Sequence, residues 1–76
     1  NQLDRLERRA IEIEGKMPGL ESDLARLSEE LSSPEIVANY SRLQEITLQF
    51  EKKEAQIKRL YEEWESCLEQ RQQAAN

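Results

Sequence analysis

The sequence predicts an all-α protein, a two-helix antiparallel coiled-coil hairpin with a kink or break near residues 15–19. Three observations carry this. Leu3, Leu6, Ala10, Ile13, Met17, Leu20, Leu24, Leu27 and Leu31 keep an unbroken 3-4 spacing. A second repeat carries Leu43, Phe50, Ile57 and Trp64 at every seventh position, with Ile46, Lys53, Leu60 and Cys67 between them. Between the two lies LSSPEIVAN, centred on Pro34. Sustained 3-4 spacing with charge over the remaining surface is the pattern of a coiled coil. A turn between two such repeats folds one back on the other.

The first helix is expected over residues 3–31. Its opening, 3–14, is strongly charged around an apolar seam, and GKMPG follows. Gly15, Pro18 and Gly19 disfavour a helix interior, and Pro18 removes the hydrogen bond to the Glu14 carbonyl. The heptad phase nevertheless crosses undisturbed. A kink that preserves direction fits both facts; the alternative is a break, with a new helix starting at Pro18, a good first-turn residue. Leu20 to Leu31 is the cleanest helical stretch.

A turn is expected at 32–35, where Ser33 can cap the next helix with Pro34 at its first position. Asn39 and Ser41 offer a second cap, which would leave 34–38 as a separate short piece. The second long helix is expected over 36–70, a span with good helix formers and, after Pro34, neither Gly nor Pro. Periodicity is lost after Gln70, so 71–76 is expected to fray.

Folding the repeats together fixes one register. The layers are Leu3–Cys67, Leu6–Trp64, Ala10–Leu60, Ile13–Ile57, Met17–Lys53, Leu20–Phe50, Leu24–Ile46, Leu27–Leu43 and Leu31–Asn39. Only Met17–Lys53 and Leu31–Asn39 are not apolar on both sides. At the flanking g positions Arg9 falls opposite Glu63, Lys16 opposite Gln56, Asp23 opposite Gln49 and Glu30 opposite Arg42, with no like-charge clash. Lys53 is expected to reach between Glu14 and Glu54.

Composition limits what such a rod can do. The chain has 76 residues, 36% of them charged, no histidine and one cysteine. An internal disulfide is therefore excluded, no ordinary metal site is expected, and a domain this small must rely on regular helix packing. Cys67 reads as a small apolar seam residue suited to a reducing compartment. No apolar run approaches the ~20 residues of a membrane span. The missing initial methionine suggests a piece of a larger protein. There is no Gly-rich phosphate loop and no nucleophile with a base beside it, and carboxylate pairs such as Glu62–Glu63 lie on a solvated surface. The segment is not expected to be an enzyme or to bind a small-molecule substrate.

Its charges, however, are sorted. In the half that holds the termini, the edge formed by heptad positions c and g carries Arg5, Arg9, Lys16, Lys52 and Arg59 against Glu12 and Glu63. The b/e edge carries Asp4, Glu7, Glu14, Glu51, Glu54 and Glu65 against Lys58. Net charge is −5, which argues mildly against phosphate binding, yet a basic edge is what tracking phosphates requires. The five basic residues are the candidate nucleic-acid contacts; a solvated rod with unsorted charge is the alternative. Trp64 is expected to pack on Leu6, with Tyr61 over the flank of the seam, rather than to form an aromatic platform for bases. Exposed Ile11 and Leu48 mark a possible docking surface.

KMPGLESDLARLSEEL, SPEIVANYSRLQEI and RLYEEWESCLEQ together resemble the carboxy-terminal coiled-coil domain of bacterial ABC-F ATPases of the Uup-like group. The matching residues are Met17-Pro18, Leu20-Glu21, Leu24, Leu27, Leu31, Pro34-Glu35, Leu43, Leu60-Tyr61 and Trp64-Glu65, covering about residues 5–70. The chain departs from that pattern at Val37-Ala38, where tyrosine is common, in its thiol at Cys67 and in its net acidity. A fainter similarity, to the amino-terminal helical region of bacterial peptide-chain release factors, is confined to SPEIV. The ABC-F resemblance implies a cytoplasmic ATPase whose ATP and Mg belong to cassettes elsewhere in the same chain. It also implies an accessory arm that contacts DNA or ribosomal RNA on the ribosome. A structural spacer or protein-docking coiled coil without nucleic-acid contact is the rival reading.

Overall fold

The computed structural model describes residues 1–75. Helix α1 spans Gln2–Leu31, the single turn α2 spans Pro34–Val37, and α3 spans Tyr40–Ala75. Cross-helix contacts run in opposite directions along the two long helices: Glu7 meets Arg71, Arg9 meets Glu63 and Asp23 meets Lys53. The helices are therefore antiparallel. The rod measures 56 × 15 × 14 Å, and its long axis is close to the ~54 Å that 36 helical residues span at ~1.5 Å each.

One seam supplies the core. Leu6, Ala10, Ile13, Met17 and Leu27 of α1 are buried with Ile46 and Cys67 of α3. The remaining apolar layer residues are half-buried, and Asn39 alone among layer positions is exposed. Trp64 and Leu68 pack on the cluster of Leu6, Ala10 and Cys67, but the register is not the expected one. Cys67 clusters with Leu6 and Ala10 rather than with Leu3, Trp64 reaches Ile13, Glu14 and Met17, and Tyr61 reaches Glu21, so α3 is displaced by about one heptad along α1. A shift of that length keeps position a facing position d, so heptad spacing does not distinguish the two registers. The expected Met17–Lys53 layer does not form: Met17 is buried beside Tyr61 and Trp64, while Lys53, 27% exposed, lies by Asp23. Its stem lies along the seam and its ammonium leaves it, the usual compromise for a long cationic side chain.

Several local expectations need correcting. The alternative of a break with a new helix at Pro18 is overturned: α1 passes through residues 15–19 unbroken, with Pro18 inside it, as the undisturbed heptad phase implied, because the seam of Ile13, Met17 and Leu20 holds both flanks against α3. Ser33 occupies the cap of α2 but its hydroxyl makes no capping bond. Asn39 does cap, its Oδ1 accepting the Arg42 N–H at 3.0 Å. The long helix therefore starts at Tyr40, not at 36, and 34–38 is the separate piece. Helix α3 also continues to Ala75, through most of the stretch expected to fray; Asn76 lies outside the described residues. In the observed register those turns begin against the start of α1, where Arg71 meets Glu7 at 3.8 Å, and Gln, Arg and Ala are good helix formers.

The charge pairs differ too. Glu30 joins Arg26 at 3.4 Å while Arg42 turns to Glu45 at 3.1 Å, so the expected Glu30–Arg42 bridge is replaced by two within-helix pairs. Glu30 Oε2 is left buried without a hydrogen-bond partner. Lys53 does not reach between Glu14 and Glu54 but extends towards Asp23, at 3.9 Å.

Candidate nucleic-acid interface

The c/g edge is set by register. Positions c and g lie on the same flank of both helices, so α1 contributes Arg5, Arg9 and Lys16 and α3 contributes Lys52 and Arg59. The structure divides these five into two groups. Arg9, one-third exposed, forks onto Glu63, with Nη2 donating to Oε1 at 2.8 Å and Nε donating to Oε2. Its Nη1 also lies 3.2 Å from Glu12, whose carboxylate takes Lys16 at the same distance. Lys16, Glu12, Arg9 and Glu63 thus form one chain of alternating charge with no net surplus.

The electrostatics follow from that chain. The Arg9 hydrogen bond holds the Glu63 carboxyl below the usual range. Lys16, and then Arg9, do the same for Glu12. Glu63 in turn raises the already high pKa of Arg9. All four side chains are committed to one another.

Arg5, Lys52 and Arg59 are exposed, and none has an ion-pair partner among the described residues. In the observed register they lie along roughly 30 Å of the rod, at ~1.5 Å per helical residue. At ~3.4 Å per phosphate along one strand, that length spans about nine phosphates. Three cations so placed can neutralise phosphates but offer no planar set of donors for a base edge.

The opposite edge holds contacts that sequence reasoning missed. Trp64 Nε1–H donates to Glu14 Oε2 at 3.0 Å, and the Tyr61 hydroxyl donates to Glu21 Oε1 at 3.2 Å. The two rings meet edge to face, with centroids 6.3 Å apart at 85°, and so form a corner rather than a flat platform. Beside them is a groove of about 290 Å³ floored by Ile13 and Met17 and rimmed by Glu14, Pro18 and Glu21. The available signal was Glu14 and Glu21 at consecutive e positions with Tyr61 at e on the other helix. Heptad spacing ranks such residues as flank, not site.

Among the described residues no group of three His, Cys, Asp or Glu side chains could hold a metal ion, and no helix is long and apolar enough to cross a membrane. Comparison with curated proteins and with solved structures gave no match. The family model for the ABC transporter C-terminal domain matches residues 2–74, both long helices and the turn between them. On that match the chain belongs to the ABC transporter C-terminal domain family.

Proposed function

We propose that this chain is the accessory C-terminal arm of an ABC-F ATPase of the Uup-like kind, and that it contacts DNA or ribosomal RNA through its c/g edge. The observation that carries the reading is the trio Arg5, Lys52 and Arg59, exposed and unpaired on one edge while the other edge of the stem is acidic. Membership in an ABC C-terminal domain family supports the arm. Arg9 is committed across the helices to Glu63 and Lys16 within α1 to Glu12, which leaves Arg5, Lys52 and Arg59 to meet phosphate. The segment itself catalyses nothing; ATP and Mg are held by cassettes of the same cytoplasmic protein.

Binding by three cations is weak, indifferent to sequence and dependent on salt. For a duplex oligonucleotide the slope of log K against log salt should be about −3, since each neutralised phosphate contributes roughly −0.9. Fluorescence anisotropy of labelled duplex DNA and of a structured RNA, titrated with the 76-residue chain between about 50 and 200 mM salt, measures it. The triple change Arg5→Glu, Lys52→Glu, Arg59→Glu should abolish binding and leave helicity unchanged, because none of the three holds the fold. Affinity indifferent to the triple change, or no binding at low salt, overturns the reading in favour of a spacer or docking arm.

A further inference from the structure

The groove on the b/e edge plays no part in phosphate contact; its rim of carboxylates repels phosphate. Its chemistry is specific in another direction. Tyr61 and Trp64 stand at 85° to each other and form two walls of a corner. Each ring is pinned by one carboxylate oxygen, from Glu21 and Glu14 respectively. The other oxygens, Glu21 Oε2 and Glu14 Oε1, have no hydrogen-bond partner among the described residues. Aromatic faces attract cations, most strongly when the cation also sheds water against them. The Glu21 carboxylate raises the Tyr61 pKa, so the phenol keeps its proton and its bond to the rim.

Three features select the occupant. The edge around the groove is acidic, with Glu7, Glu54 and Glu65 against Lys58, so the occupant is a cation. Met17 and Ile13 make an apolar floor, so it carries a hydrocarbon stem. At about 290 Å³ the space falls just below the ~300–1,000 Å³ of small-molecule pockets, and suits one long side chain. A planar guanidinium stacks on an aromatic face and forks to a carboxylate, and it is more weakly hydrated than an ammonium. We propose that the Tyr61–Trp64 corner, rimmed by Glu14 and Glu21, is the docking site for an arginine side chain on a basic segment of a partner protein. The arm would then have two independent faces, one for nucleic acid and one for protein.

Trp64 is the only tryptophan, so its emission reports on the groove directly. The probe is a blocked Ala-Ala-Arg-Ala-Ala peptide, titrated alongside versions with lysine and with citrulline, the neutral isostere of arginine. The arginine peptide should produce a saturable change, with affinity about tenfold above the citrulline peptide and with lysine between them. The double variant Glu14→Gln, Glu21→Gln should weaken binding by a further factor on the order of ten while helicity is retained. Tyr61→Leu should weaken it several-fold, and Glu51→Gln, outside the groove, should leave it unchanged. Equal binding of arginine and citrulline overturns the proposal, as does an equal loss on Glu51→Gln, which would make the effect one of general charge. Sedimentation showing that the groove fills by self-association would assign it to a second copy and overturn the partner. The Arg5, Lys52, Arg59 triple variant should bind the peptide normally, so failure here is separate from failure of the nucleic-acid reading.

Discussion

Between Arg9 and Glu63 a guanidinium fork meets a carboxylate across the two helices, on an edge open to water. Solvent screening keeps such a pair weak, so its role is to select register rather than to hold the rod together. Its sign with pH is definite. The folded state lowers the Glu63 pKa through the Arg9 hydrogen bond, so the pair stabilises the fold fully above the ordinary glutamate pKa of ~4.3. That stability is lost as pH falls below this value and through the folded-state pKa. Glu63→Gln should therefore lower the melting temperature near neutral pH, and the deficit relative to wild type should vanish in acid. Circular-dichroism melts of both proteins across the acid range check this, and a deficit that persists in acid would assign the effect to lost packing. The opposition of Arg9 and Glu63 was legible in the heptads. That the same contact withdraws Arg9 from phosphate was not, because heptad position does not say whether a charge already has a partner. Trp64 shows a further limit: spacing puts it in the seam, but not beside Ile13, Glu14 and Met17, because a register one heptad away satisfies the same pattern.

Helix α1 is the element in which local preference and tertiary packing conflict. Gly15 and Pro18 oppose helix by ~1 and ~3 kcal/mol relative to alanine, yet α1 is continuous across both. Ile13 and Met17, buried on either side of Gly15, hold this turn against α3, and burial worth roughly 1.5–3 kcal/mol per large apolar side chain outweighs the penalty. A Cβ added at Gly15 meets nothing within 4 Å, so alanine fits there without strain. Gly15→Ala should raise stability by about 1 kcal/mol, or roughly 4–8 °C in Tm for a domain of this size. Pro18→Ala should add to the gain by restoring an N–H for the Glu14 carbonyl, though it also changes the rim of the groove. A fall in Tm for Gly15→Ala would mean that the turn requires glycine's backbone freedom. Continuity through Pro18 was legible in the unbroken 3-4 phase. The extent of α3 was not, because the register that brings Arg71 to Glu7 is not fixed by heptad spacing.

At the scale of the whole rod, the seam decides whether one chain or two makes the coiled coil. A turn of a few residues holds α1 and α3 at a high effective concentration, so pairing within the chain outcompetes pairing between chains. The seam is used up internally: the large apolar side chains left most exposed, Ile11, Val37, Tyr40, Leu48 and Tyr61, do not share a heptad stripe that a second copy could zip. Leu6 and Cys67 lie in one buried cluster, which makes the arrangement testable with a single change. Leu6→Cys, treated with a short thiol-to-thiol linker at low protein concentration, should cross-link to Cys67 within one chain and run as a compact monomer on a denaturing gel. Products joined only between chains would mean that the seam is a dimer interface. In that event α3 would face another molecule's α1, and the basic edge and the arginine groove would each be assembled from two copies. A monomeric product keeps both faces on one arm, where Arg5, Lys52 and Arg59 can meet phosphate while Tyr61 and Trp64 remain open to a partner on the other side.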